Sequence, residues 1–172
     1  MCLSLWETKM VWINRIIPPL MVFLIQFLLV DFLSINLIRP DFIVIYVFYF
    51  SLRFGRAPGI IMGFTIGLLS DLTGVGSHFG LGPLTLSITA YLTGYLNGKY
   101  ERLLPYVFHL FWIGIIGFHF FMMTYVRFQT VMVSDWVEFG MKWLLSFGYT
   151  MIFFFIIQFF YPVREASRAE IR

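Results

Sequence analysis

From Leu103 to Val126 the chain runs without an Asp, Glu, Lys or Arg, and it holds several other stretches nearly as apolar. About 20 consecutive apolar residues are needed for a helix to cross a hydrocarbon core roughly 30 Å thick. A run of that kind is costly in water and natural in lipid. The whole chain of 172 residues follows the same bias, 60% hydrophobic and 12% charged. Soluble domains average about 45–50% apolar and about 25% charged. Too few polar residues remain to cover a soluble surface. The expected class is therefore an all-α integral membrane protein, a single polytopic membrane domain over 1–172. The net charge of +3 reads as membrane orientation and not as nucleic-acid binding. The single cysteine, Cys2, excludes an internal disulfide and a CxxC metal motif.

No small-residue cleavage site follows the first apolar run, so a cleavable signal is not expected. Position two is Cys, where myristoylation needs Gly. Six transmembrane segments are predicted: about 16–38, 41–53, 58–72, 81–99, 103–126 and 137–161. Pro18 and Pro19 fall in the first turn of the first, and Pro162 ends the last. Segments two and three are short, and thirteen residues rise only about 20 Å. They fit either a re-entrant pair or two crossings in a thinned bilayer. Arg53 and Arg56 lie in the turn between them. Burying two cations at a re-entrant tip costs roughly 2.5–3.5 kcal/mol each, which favours full crossings.

With both termini cytoplasmic, the inner side holds Lys9, Arg15, Arg53, Arg56, Lys99, Arg102, Arg164, Arg168 and Arg172. The outer side holds Arg39, Arg127 and Lys142. Nine of the 12 basic residues inside is the expected positive-inside pattern. Trp12 and Trp136 suit opposite interfaces as anchors, while Trp112 lies inside segment five, facing lipid or packing. No loop is long enough to form a soluble catalytic module, and no internal repeat is evident.

The stretch Ile66–Leu84, IGLLSDLTGVGSHFGLGPL, is glycine-rich but carries no Lys or Arg. It lacks the GxGxxG spacing of a dinucleotide site and the Gly-Lys-Ser/Thr of a P-loop. Upstream, Gly55, Gly59, Gly63 and Gly67 recur every four residues, and the next step is Asp71. Residues four apart share a helix face. Gly59, Gly63 and Gly67 thus make a flat stripe that admits another helix closely, either from this chain or from a partner. Segment four carries a second stripe, Ala90, Gly94 and Gly98. Asp71 at a helix end must be solvated, paired or bound to amides. Its expected partners are the amides of the following turn, or Arg39 on the same side. A proton relay would need further polar groups in mid-membrane, where Asp31 and Gln26 are the near candidates. His109 and His119 point about 80° apart on one helix, poor geometry for zinc. No GxSxG or other nucleophile–base set is present.

Several of these features occur together in a known order. Gln26 is followed by Arg39-Pro40-Asp41 and an apolar run to Leu52-Arg53-Phe54-Gly55. Gly63–Asp71 reads GFTIGLLSD, followed by Gly80-Leu81-Gly82 and Ala90-Tyr91-Leu92-Thr93-Gly94. Over Gln26–Lys99 the chain resembles the rod shape-determining protein MreD family. The loop after Asp71 departs from the family's usual Ser-Gly-x-Pro-Leu-Gly in lacking the proline. The resemblance implies a non-enzymatic component of the bacterial elongation machinery in the cytoplasmic membrane, with no cofactor. It implies MreC as direct partner, and MreB, RodA and RodA's penicillin-binding partner indirectly. It also implies a compact bundle similar to the substrate-binding subunits of energy-coupling-factor transporters. Gly59, Gly63, Gly67, Asp71, Arg39, Asp41, Arg53 and Gly94 are the candidate packing and partner residues. A vitamin-binding transporter subunit is the alternative, although segment one lacks the Ala-x-x-x-Ala face of such proteins. A third reading, a lipid-modifying enzyme, would rest on Asp71 and His78 alone.

Overall fold

The computed structural model describes residues 17–29, 32–34, 38–73 and 79–168. Among them the chain is all-helical. The first helix, α1, is Ile17–Leu29. It is followed by α2 (Phe42–Phe54), α3 (Arg56–Leu72), α4 (Leu81–Gly94) and α5 (Pro105–Arg127). Then come α6 (Gln129–Ser134), α7 (Trp136–Phe160) and α8 (Val163–Arg168). Two of these, α5 and α7, are long and apolar enough to cross a membrane, while α1 and α2 are shorter apolar helices.

Local chemistry explains most boundaries. The Asp41 carboxylate accepts from the Val44 amide at 3.0 Å and starts α2. Gly55, at φ 85°, ends α2 and turns directly into α3, a conformation that favours glycine. Pro105 opens α5 at a position that has no amide to lose. Asp135 caps α7 by accepting from Val137 and Glu138 at 2.8 and 3.2 Å.

Two boundaries and two short additional helices differ from the sequence reading. The helix expected over about 16–38 is described as Ile17–Leu29, and the chain is already in a turn at Phe32 and Leu33. Segment four ends at Gly94 and not near 99, because Asn97 turns back to α2. Its Nδ2 donates to the carbonyls of Leu52 and Arg53 at 2.7 and 3.1 Å. The loop expected between segments five and six contains α6, which has no buried residue. Pro162 ends α7 as expected, but the chain resumes as α8, burying Val163 and Ala166.

One of the two short apolar helices lies at the centre. In α2, Val44, Val47, Phe48 and Leu52 are fully buried. A helix that is apolar on every side belongs inside such a bundle. Trp112 of α5 is also fully buried, stacked on Phe154 of α7 at 4.6 Å and tilted against Phe48 of α2 at 5.8 Å. Its role is packing between helices. Each such ring pair contributes about 0.5–1.5 kcal/mol beyond area burial. By contrast α7 turns Leu144, Leu145, Ile152, Phe155, Ile156 and Phe159 outward.

The lengths do not match, and this positions the site. Asp41, at the start of α2, donates its backbone N–H to Thr150 Oγ1 at 3.2 Å. Thr150 lies near the middle of the 25-residue α7. Eight residues further on, Tyr49 donates its hydroxyl to the carbonyl of Tyr161 at 3.0 Å, where α7 has ended. So the first two turns of α2 run beside the second half of α7. Its first residue stands at mid-depth of the long helices. Around this point Arg39 is exposed, Pro40 is buried, and Asp41 is partly covered.

Candidate functional site

Two arrangements stand out. The first is a seam between α3 and its neighbours. A Cβ added at Gly63 would lie 2.8 Å from the Leu86 carbonyl oxygen, and one at Gly67 would lie 2.6 Å from the Pro83 nitrogen. Both neighbours are backbone atoms of α4 and cannot rotate away. A Cβ at Gly59 would collide with the Ser51 side chain of α2. At the far end of α4, a Cβ at Gly94 would lie 2.6 Å from the Arg56 Cα. The stripe is thus occupied along its length by α2 and α4 of the same chain. A partner helix cannot lie in it as well.

Asp71 closes the seam. It is buried, and its Oδ2 accepts from the Gly80 amide at 2.6 Å. A Cβ on Gly82 would lie 2.5 Å from Asp71 Oδ1. The carboxylate therefore holds the entry to α4 against the exit of α3, through an amide of the glycine-rich turn. Gly80 stands at φ 94° there. Gly74, Gly76 and His78 lie outside the described residues.

The second arrangement surrounds Asp41. Gln26 of α1 brackets it, accepting from the Phe42 amide at 2.7 Å and donating to the Pro40 carbonyl at 3.2 Å. Thr150 of α7 accepts from the Asp41 amide. Behind the carboxylate stands His119 of α5, 1% exposed, with Nε2 3.8 Å from Asp41 Oδ2. The other ring nitrogen, Nδ1, is 3.0 Å from Thr89 Oγ1 of α4. Five helices thus converge on one polar cluster inside an apolar core. Tyr149 donates its hydroxyl to the Leu33 carbonyl at 2.8 Å and holds the α1–α2 connection nearby.

The eight candidate residues do not form one site. Gly59, Gly63, Gly67, Asp71 and Gly94 belong to the seam, and Asp41 belongs to the polar cluster. Arg53 is exposed, with its guanidinium over the Phe54 ring at 5.4 Å. It lies at the end of the molecule where Arg56 and Lys99 both face the Tyr95 ring, at 5.4 and 3.1 Å. Arg164 faces Tyr100 at 5.9 Å. In the sequence His119 was weighed only as a zinc ligand, and Thr89 and Thr150 were not singled out. The one available signal was helical spacing: Trp112, Ile116 and His119 fall on one buried face of α5. His109, one face away, bonds the Pro105 carbonyl at 2.6 Å.

Chemically, the seam fixes helix positions, and the cluster can hold or pass a proton. Among the described residues no group of three or more His, Cys, Asp or Glu converges as a metal site. No family model matches the chain, and neither curated proteins nor solved structures give a significant match.

Proposed function

We propose that the chain is a non-enzymatic scaffold of the bacterial cytoplasmic membrane, similar to MreD. It binds the membrane anchor of MreC and supports peptidoglycan synthesis by the elongation complex. In this reading α1 to α5 and α7 are the six membrane-embedded helices, in a bundle like that of energy-coupling-factor substrate-binding subunits. Both termini are cytoplasmic. The cation-rich end formed by Arg53, Arg56, Lys99 and Arg164 then faces the cytoplasm, as the positive-inside rule requires.

The observation that carries the reading is where the motif residues fall. Those that resemble the family cap α2 (Asp41), weld α3 to α4 (Gly63, Gly67), latch their outer turn (Asp71) and close the inner one (Gly94). They build a rigid platform, which is what a scaffold needs from its sequence. Because α4 fills the glycine stripe, MreC must meet the outward apolar faces, such as Ile61, Phe64 and Leu69 on α3. Van der Waals packing and interhelical hydrogen bonds hold helices together in lipid.

Affinity purification of the tagged chain from native membranes in mild detergent tests this directly. Recovery of MreC, with RodA and MreB in lower amounts, is expected. Recovery of an ATPase-coupled transporter without MreC would replace the scaffold reading by the vitamin-transport one.

A further inference from the structure

Buried His119 and partly covered Asp41 are an ionisable pair to which the seam and the scaffold reading give no task. The hydrogen count around them is informative. Thr89 has one hydroxyl proton, and its Oγ1 lies 2.8 Å from the Thr85 carbonyl. That is the common back-bond of a helical threonine. With its proton there, Thr89 accepts, so Nδ1 of His119 must donate. A neutral imidazole carries a proton on one nitrogen only. Nε2 would then aim a lone pair at Asp41 Oδ2, 3.8 Å away. If Thr89 donates to Nδ1 instead, Nε2 gains the proton but the Thr85 back-bond is lost. One added proton between Nε2 and Oδ2 satisfies every partner.

The Asp41 side is equally constrained. Its Oδ1 is occupied by the Val44 amide, its backbone by Thr150, and the flanking backbone by Gln26. Nε2 has no hydrogen-bond partner among the described residues. The 3.8 Å gap is longer than a charged hydrogen bond, about 2.7–2.9 Å, and rotation of the carboxyl can close it. Among the described residues, the groups bonded to the pair and to its flanking backbone are otherwise uncharged. The Thr89 hydroxyl of α4 meets Nδ1, the Phe120 ring lies against the imidazole, Thr150 of α7 meets the Asp41 amide, and Gln26 of α1 meets the flanking backbone. On α7, Glu138 and Lys142 lie turns away and pair with each other at 2.8 Å. Arg39, two residues before Asp41, is exposed.

We propose that His119 and Asp41 form a proton-binding site at mid-depth of the bundle. With the proton bound, an imidazolium–carboxylate pair bolts the start of α2 to α5. With the proton gone, the pair opens and the first turn of α2, together with the connection before it, loosens. Asp41 is the open side of the pair, its side chain 21% exposed, while that of His119 is 0% exposed. Ionisable groups at such depth are costly and mark functional sites by default.

The test uses the full chain in lipid nanodiscs with isotope-labelled histidine. A His78→Gln, His109→Gln background isolates the His119 signals. The ring nitrogens are followed against pH, alongside amide exchange in the first turn of α2, corrected for its intrinsic pH dependence. One protonation step at His119 is expected, and first-turn exchange should rise about tenfold as the proton leaves. Asp41→Asn keeps a capping oxygen, so α2 still starts normally, yet the exchange step should vanish. Thr89→Val leaves both ionisable residues in place and should shift the midpoint by removing the Nδ1 contact. A His119 ring that keeps one protonation state throughout overturns the proposal. So does an exchange step that survives in Asp41→Asn, or a midpoint unmoved in Thr89→Val.

Discussion

Gly67 and Gly148 are both helical glycines, yet they meet opposite surroundings. A Cβ on Gly67 would press into the backbone of Gly82 and Pro83, whereas one on Gly148 would meet nothing within 4 Å. Overpacking a tight contact costs about 1–3 kcal/mol. In an open helix position, Ala is favoured over Gly by about 0.8–1.0 kcal/mol. Gly67→Ala should therefore destabilise the chain by about 1–3 kcal/mol, and Gly148→Ala should leave it unchanged or slightly more stable. Unfolding in mixed micelles by SDS titration separates the two. The stripe itself was legible in the sequence, because four-residue spacing is a property of one helix. Its occupant was not, because that depends on how α3 crosses α4. Asp71 was legible for the same local reason: its partner Gly80 lies in the next turn of chain. His119 was not, because its partners Asp41 and Thr89 sit on two other helices.

At the level of elements, α2 shows how capping and burial divide the work. Its apolar run sets its existence, and its Asp41 cap sets where it begins. Asp41→Ala should cost about 1 kcal/mol through the lost cap, and Asp41→Asn much less, since both Asp and Asn cap well. Helix content and denaturation midpoint of the two variants check this. The ends of α2, α3, α5 and α7 were readable to within about two residues, because Asp41, Gly55, Pro105, Asp135 and Pro162 mark them chemically. Two other ends were not marked. The first apolar run continues past Leu29 in composition, so nothing local announced its end. The end of α4 at Gly94 depends on Asn97 reaching α2, a tertiary bond. Thirteen residues do not say whether a short helix starts at the surface or half-way down its neighbours.

For the whole molecule, the charge distribution and the helix order make one topology testable. In a Cys2→Ser background, a cysteine placed at Arg102 should react with a membrane-impermeant maleimide only from the cytoplasmic side. One placed at Gln129 should react only from the outside. The reverse pattern would invert the orientation on which the partner surface rests. The helical bundle and its basic end were visible in composition and in the spacing of Lys and Arg. The buried meeting of α1, α2, α4, α5 and α7 at Asp41 was not, because no local pattern encodes a contact among five helices.

The scaffold reading stands on a cellular consequence. Depletion of the chain in its native bacterium, followed by measurement of cell width over successive divisions, tests it most directly. Rods that widen and round, and recover when the wild-type chain is restored, are the predicted result. Cells that keep normal rod width through complete depletion would contradict it.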